Sequence, residues 1–260
     1  MSLNRDTNKP KSGARFYLHR KISEGETLLE LPKDIANHAK SSLRLKEDSL
    51  FYLFDGSGGE YLAKLVIASN HRLMAEILSF SDVRLESDLK ILLVQSFMSN
   101  DKMNWLIQKA TELGVSEINV FKAERSSIKI DAPQLEKKKT HWHKIAIAAC
   151  EQSGRTKIPV IRTFLSLADY LETSETSEST DTKETKIILS PTGSNNINNI
   201  PRDQEAFTIV IGPEGGFTEQ ELAIAKSNHF LEVRLGPRTL RAETAGISLV
   251  AISQALFGDF

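Results

Sequence analysis

Apolar residues in the second part of the chain fall into short dense runs separated by helical spacings. Residues 90–96, 118–121, 158–161, 186–190, 207–211 and 231–235 read as strands, and the mostly apolar, β-branched run 207–211 has the pattern of a strand covered on both faces. Between the first two, Met103, Leu106, Ile107, Ala110 and Leu113 recur every three or four positions. That spacing predicts a helix capped by Asn100 or Asp101 and stopped at Gly114. Trp142, Ile145, Ala146 and Ala149 predict another over 135–150, and 165–171 and 242–257 read as helices too. Strands alternating with helices predict a parallel α/β sheet. The first part has a different rhythm. Short strands are expected at 16–18, 27–31, 50–54, 61–68, 74–80 and 83–85, with a weak helix over 33–45 and a glycine-rich hairpin turn at 55–60. Close-spaced strands of this kind suggest a small β-barrel. The chain therefore divides into a barrel domain over 14–86 and an α/β domain over 87–260. Residues 1–13 read as a loose tail, and the Ser/Thr/Glu-rich stretch 172–185 as a solvated loop.

Two strand ends break this pattern in the same way. After 207–211 comes Gly-Pro-Glu-Gly-Gly-Phe-Thr at 212–218, and the glycines and proline stop the strand. Thr218 and Glu221 then have capping-box spacing, with Phe217 and Leu222 placed as a hydrophobic staple. After 231–235 comes Gly-Pro-Arg-Thr-Leu-Arg-Ala-Glu-Thr-Ala at 236–245, again leading into a helix. Open α/β sheets bind ligands beyond the carboxyl ends of their strands. Neither turn is a P-loop or a dinucleotide fingerprint, and Glu214 would repel a phosphate. A ligand without phosphate fits better, although a plain tight βα turn also accounts for the first stretch. Arg238 and Arg241 stand near a helix N-terminus, the unfavourable end for cations, at a cost of about 0.3–1 kcal/mol each at exposed sites. A local rule broken twice in one turn marks a place to look for function.

Composition narrows the classes. The net charge is −1, so bulk charge gives no support to a nucleic-acid partner, but residues 1–46 hold ten Lys/Arg against five Asp/Glu. A basic end of this kind suits nucleic acid, and equally a solubilising tail. The single cysteine, Cys150, lies in Ala-Ala-Cys, excludes an internal disulfide and reads as a buried small side chain. His141 and His143 are two apart on a helix and point to different faces, and no Cys/His spacing suits zinc, so no metal is expected. No apolar run approaches a membrane span, and nothing predicts a membrane or secretion. A cytoplasmic location is expected.

Three stretches together carry a resemblance. Ile-Gly-Pro-Glu-Gly-Gly-Phe at 211–217, Leu-Gly-Pro-Arg-Thr-Leu-Arg-Ala-Glu-Thr-Ala at 235–245 and Ile-Gln-Lys-Ala-Thr-Glu-Leu-Gly-Val at 107–115 closely resemble the family that methylates N3 of a uridine in 16S ribosomal RNA. Glu151, Gln152, Ser153 and Arg155, the pair Arg125-Ser126, and at the head of the chain Arg15-Phe16, His38 and 43–45 are similar too. Thr239 departs from the usual Ile or Val, and the 172–185 stretch is longer than usual.

The resemblance implies an N-terminal PUA-like β-barrel and a C-terminal SPOUT methyltransferase domain with a parallel sheet and a trefoil knot. It implies S-adenosylmethionine as cofactor, bound in the knot by Leu189, Pro191, Thr192, Ile211, Gly212, Pro213, Glu214, Gly215, Leu235, Gly236, Arg238 and Leu240. It implies a homodimer acting on the small ribosomal subunit, with Arg15, Arg20, Lys33, Lys40, Arg44, Arg125 and Arg155 toward RNA. Methylating a uracil N3–H requires that negative charge on the ring carbonyls be stabilised and that a proton leave. Arg241 is the catalytic candidate for the first, and Glu243 or a water for the second. Methylation of a ribose 2′-oxygen or of guanine N1, and a non-catalytic assembly factor, are the alternatives.

Overall fold

The computed structural model describes residues 13–128, 130–175 and 183–260. The expected tail, except Gly13, and the centre of the 172–185 stretch lie outside the described residues. The chain forms two units. One is made of residues up to Glu86 together with Cys150–Lys157, the other of Ser87–Ala149 and Ile158–Phe260.

The first unit is a five-stranded sheet: β1 (Arg15–Tyr17), β2 (Leu28–Glu30), β3 (Leu50–Phe54), β4 (Glu60–Ile67) and β5 (Leu73–Ser81). The order is β1-β3-β4-β5-β2, with β1 parallel to β3 and the other pairs antiparallel. Phe16, Leu29, Leu31, Ile35, Phe51, Leu53, Ala63, Leu65 and Ala75 form its core. The expected helix over 33–45 is a short α1 (Lys33–Asn37) followed by a π-helical turn, His38–Ser42. Residues 83–85 do not form the expected strand. That segment pairs with no strand among the described residues.

Cys150–Lys157 belongs to this unit rather than to the second domain to which the sequence assigned it, and hydrogen bonds supply the reason. The Glu86 carboxylate accepts from the amides of Thr156 and Lys157 at 3.1 and 3.0 Å and from Arg155 Nε at 2.8 Å. Arg15 donates to the carbonyls of Gly154 and Arg155, and the Tyr17 amide donates to Glu151 Oε1.

The second unit is a six-stranded, all-parallel sheet. Its strands are β6 (Lys90–Ser96), β7 (Glu117–Phe121), β8 (Val160–Phe164), β9 (Glu184–Leu189), β10 (Ala206–Ile211) and β11 (Leu231–Val233), in the order β11-β9-β10-β6-β7-β8. Alternate strand residues serve opposite faces. Ile91, Leu93, Ile187, Ile209 and Ile211 pack with residues of α2 (Asn100–Glu112), α3 (Ala132–Ser153) and α6 (Ala242–Phe257). Val94, Ile188 and Val210 pack with α4 (Leu167–Glu175) and α5 (Glu219–Ser227). The central strand β10 is buried at every position, which is why it reads as a nearly unbroken apolar run, whereas the outer strands β8 and β11 keep exposed residues.

Helix ends follow local chemistry, with two departures from the sequence reading. The N-cap of α2 is Ser99, not Asn100 or Asp101, and its side chain makes no capping bond. α3 runs from Ala132 through Ser153, so Glu151, Gln152 and Ser153 are helical, beyond the expected end at 150. Gly114 ends α2 with φ +84°, and a Cβ there would lie 2.8 Å from Gln254 Nε2.

Candidate functional site

The β11, β9 and β10 strands are neighbours in the sheet, so three strand ends far apart in sequence meet at one edge. Beyond those ends lies a cavity of about 350 Å³. Its walls are the segment after β9 (Leu189 to Thr192), the first Gly-Pro turn (Ile211 to Phe217 with Leu222) and the second (Arg234, Leu235, Arg238, Thr239, Leu240), closed by Ala242 and Ala245 of α6. All the residues expected to hold the cofactor line it except Gly236, which is exposed with φ +73° and serves the turn.

Each wall is fixed by local chemistry. Ser190 Oγ lies 2.8 Å from Thr192 Oγ1 and accepts the Thr192 amide at 3.2 Å, while the Ser190 amide donates to Val233 O. In the first turn, Gly212 and Gly215 are places of close approach. A Cβ at Gly212 would sit 2.9 Å from the Phe217 ring, and one at Gly215 would sit 3.0 Å from the Arg125 carbonyl. Thr218 then caps α5 by a full capping box. Its Oγ1 accepts the Glu221 amide at 3.1 Å, and Glu221 Oε2 accepts the Thr218 amide at 2.8 Å. Glu221 also accepts the Glu124 amide, which ties the 122–128 loop to the same turn.

Glu214 is the one carboxylate of the cavity wall among the described residues, and it is not alone. Lys102, in the first turn of α2, donates to Glu214 Oε1 at 2.6 Å and stands 3.5 Å from Glu243 Oε2. The bond from Lys102 holds the Glu214 carboxyl below its ordinary range, and the same bond raises the lysine. Lys102 was not foreseen, although a cation in a helix's first turn breaks the same rule that singled out Arg238 and Arg241. Arg241 is the N-cap residue of α6, exposed, with no side-chain capping bond. Arg238 is exposed at the cavity. Neither has an ion-pair partner among the described residues. Glu243 is nearly buried, and its Oε2 has no hydrogen-bond partner within the described residues.

The donor set suits an adenosyl sulfonium ligand. Leu189, Ile211, Leu222, Leu235 and Leu240 give apolar walls, the turns give backbone polar groups, and Glu214 gives one negative charge. Cationic cofactors favour such a carboxylate by simple Coulomb attraction.

The residues expected to face RNA separate into two sets. Lys33, Lys40, Arg44 and Arg125 are exposed, and Arg20 is half exposed and paired with Glu26. Arg15 and Arg155 are corrections. Arg15 is largely covered, its side chain 11% exposed, in an ion pair with Glu60, and lies over the Phe54 ring at 5.2 Å. Arg155 is 6 % exposed and bonded to Glu86. Both are internal fasteners of the first unit, because an unpaired guanidinium cannot be buried without large cost.

Comparison with known proteins follows the same geometry. Residues 85–254 match the model of an RNA methyltransferase domain, and residues 31–78 that of an RNA methyltransferase PUA domain. The chain is 34% identical over 232 residues to a ribosomal RNA small subunit methyltransferase E of Buchnera aphidicola, spanning 89% of this chain and 92% of that one. A Neisseria gonorrhoeae ribosomal RNA small subunit methyltransferase E bound to S-adenosyl methionine superposes with a TM-score of 0.84 at 36% identity, over 95% of this chain and 99% of that one. A Legionella pneumophila putative methyltransferase, solved with bound cofactor SAM, gives a TM-score of 0.85 at 34% identity over 95% and 99% of the two chains.

Proposed function

The chain belongs to the ribosomal RNA small subunit methyltransferase E family of S-adenosylmethionine-dependent RNA methyltransferases, and from that premise we propose that it methylates N3 of a uridine in 16S ribosomal RNA. The observation that carries the reading is the cavity at the ends of β9, β10 and β11. Two Gly-Pro turns form its walls, and Arg238 and Arg241, without ion-pair partners among the described residues, stand in the second turn and at its end.

S-adenosylmethionine bound there supplies an electrophilic methyl group on a sulfonium. Leu189, Ile211, Leu235 and Leu240 exclude water from it, and the turns read its polar edges through backbone groups. Glu214 balances its positive charge. The acceptor needs its own help. Uracil N3–H is a weakly acidic imide, and as its proton leaves, charge spreads onto the ring carbonyls. Arg241 stabilises that charge from the N-terminus of α6. Glu243 or a water takes the proton, and Lys102 keeps Glu243 and Glu214 in place.

The resemblance implies a trefoil knot through this site. Two features support it: the chain leaving β10 must pass β9 to reach β11, and Gly193 packs so closely that a Cβ would lie 2.6 Å from the Val233 carbonyl carbon. The acceptor is taken to be the assembled small subunit, reached with the help of Lys33, Lys40, Arg44 and Arg125, and the working form a cytoplasmic homodimer. Trp105, 44% exposed on α2, suits such an interface.

Arg241→Ala tests the assignment. Removing a transition-state donor of this type costs roughly 100- to 1,000-fold in kcat. Methyl transfer from labelled cofactor to unmethylated small subunits should fall by that much, with cofactor affinity by calorimetry largely kept. Unchanged turnover would remove Arg241 from the mechanism.

A further inference from the structure

A second cavity, of about 800 Å³, lies between the start of α2 and the first half of α3. Nothing in the proposed methyl transfer uses it. Phe97 and Trp142 lie at its base, both nearly buried (3% and 1% exposed), with ring centroids 6.1 Å apart. Asn104 stands in its wall, and its Oδ1 is buried with no hydrogen-bond partner among the described residues. Lys137, Lys138 and His141, on one side of α3, line it as well, and no acidic side chain does among the described residues. Lys138 bends inward, with Nζ 2.6 Å from Asn100 Oδ1 and 5.6 Å from the centroid of the Phe97 ring.

We propose that this cavity receives an unpaired nucleotide of the RNA, its phosphate on Lys137, Lys138 and His141 and its base edge on Asn104. The proposal rests on RNA being the substrate, and deepens it by naming a second point of hold. An aromatic ring beneath a movable lysine, an amide with an unused acceptor and a rim whose charged groups are all basic are the means by which single-stranded RNA is gripped: stacking, edge reading and phosphate neutralisation. The place is suitable. From one side α2 sends Lys102 to Glu214 of the cofactor turn, and from another it presents Asn100 and Asn104 to this cavity. One helix therefore links a nucleotide held here to the cofactor turn. Lys138 now covers the Phe97 ring, and in drawing out to a phosphate it uncovers that ring.

Fluorescence anisotropy with a short labelled single-stranded RNA on the full chain tests this, beside photocrosslinking of the same RNA carrying 4-thiouridine. The Asn104→Ala, Lys138→Ala double variant should bind roughly tenfold or more weakly, with the slope of log K against log salt smaller by about 0.7 for the lost phosphate contact. Crosslinks in the wild type should fall on α3 peptides carrying Lys138, His141 or Trp142. The KM for unmethylated small subunits should rise by a similar factor, with cofactor affinity unchanged by calorimetry. Unaltered affinity and salt slope in the variant, or crosslinks confined to other surfaces while the wild type still methylates subunits, would overturn the site and leave the reaction standing. A change of oligomeric state in the variant without loss of RNA binding would assign the cavity to a contact between copies and overturn it too. Wild-type protein that neither binds RNA nor methylates subunits would remove both readings.

Discussion

Lys102 governs the ionisation of the cavity's carboxylate. Its bond lowers Glu214 from an ordinary value of 4.5, so the charge is present above the lowered value and is lost as pH falls through it. Lys102→Met lets Glu214 return upward. If Glu214 balances the sulfonium, cofactor affinity in the variant should begin to fall at a higher pH on acidification than in the wild type. Calorimetric titrations from pH 7 downward give the comparison, and coincident curves would deny Glu214 that role. Cys150 shows the opposite effect: burial pushes its thiol up to about 12, so almost no thiolate exists at neutral pH. Iodoacetamide at pH 8 should leave the native protein unlabelled and label it stoichiometrically once unfolded; rapid native labelling would contradict the buried environment. Cys150 was legible in the sequence because Ala-Ala-Cys sits on an apolar helix face. Arg15 and Arg155 were not, since a guanidinium's local sequence does not reveal whether a distant Glu60 or Glu86 has claimed it.

Elements were legible where their signals are local. Thr218 and Glu221 lie three apart, and the capping box they predict is present with both bonds. Thr218→Ala should destabilise the chain by about 1 kcal/mol, an effect near the middle of measured N-cap losses. For a chain of this size the melting temperature should fall by about 2–4 °C, as calorimetry would read; no shift would mean that the cap is redundant with the packing of Phe217. Boundaries failed where tertiary contacts decide them. The end of α3 is prolonged because Glu151 accepts the Tyr17 amide, a partner 134 residues away.

For the whole molecule, alternating strands and helices announced a parallel sheet, but not its order. The order β11-β9-β10 makes one pocket of two Gly-Pro turns and the segment after Leu189, and no spacing along the chain contains that adjacency. The resemblance carried it instead, and with it the cofactor. The pairing of Lys102 with both Glu214 and Glu243 follows from the same closure, which brings the start of α2 against the turns. The central claim, N3 methylation of a 16S uridine by this chain, is tested most directly in a strain lacking its gene. Small-subunit RNA is digested to nucleosides and analysed by mass spectrometry, with and without the wild-type gene restored. N3-methyluridine absent from the deleted strain and restored by the wild-type gene, but not by the Arg241→Ala form, is the predicted result. N3-methyluridine persisting in the deleted strain, or a ribose-methylated nucleoside or N1-methylguanosine disappearing in its place, would contradict it.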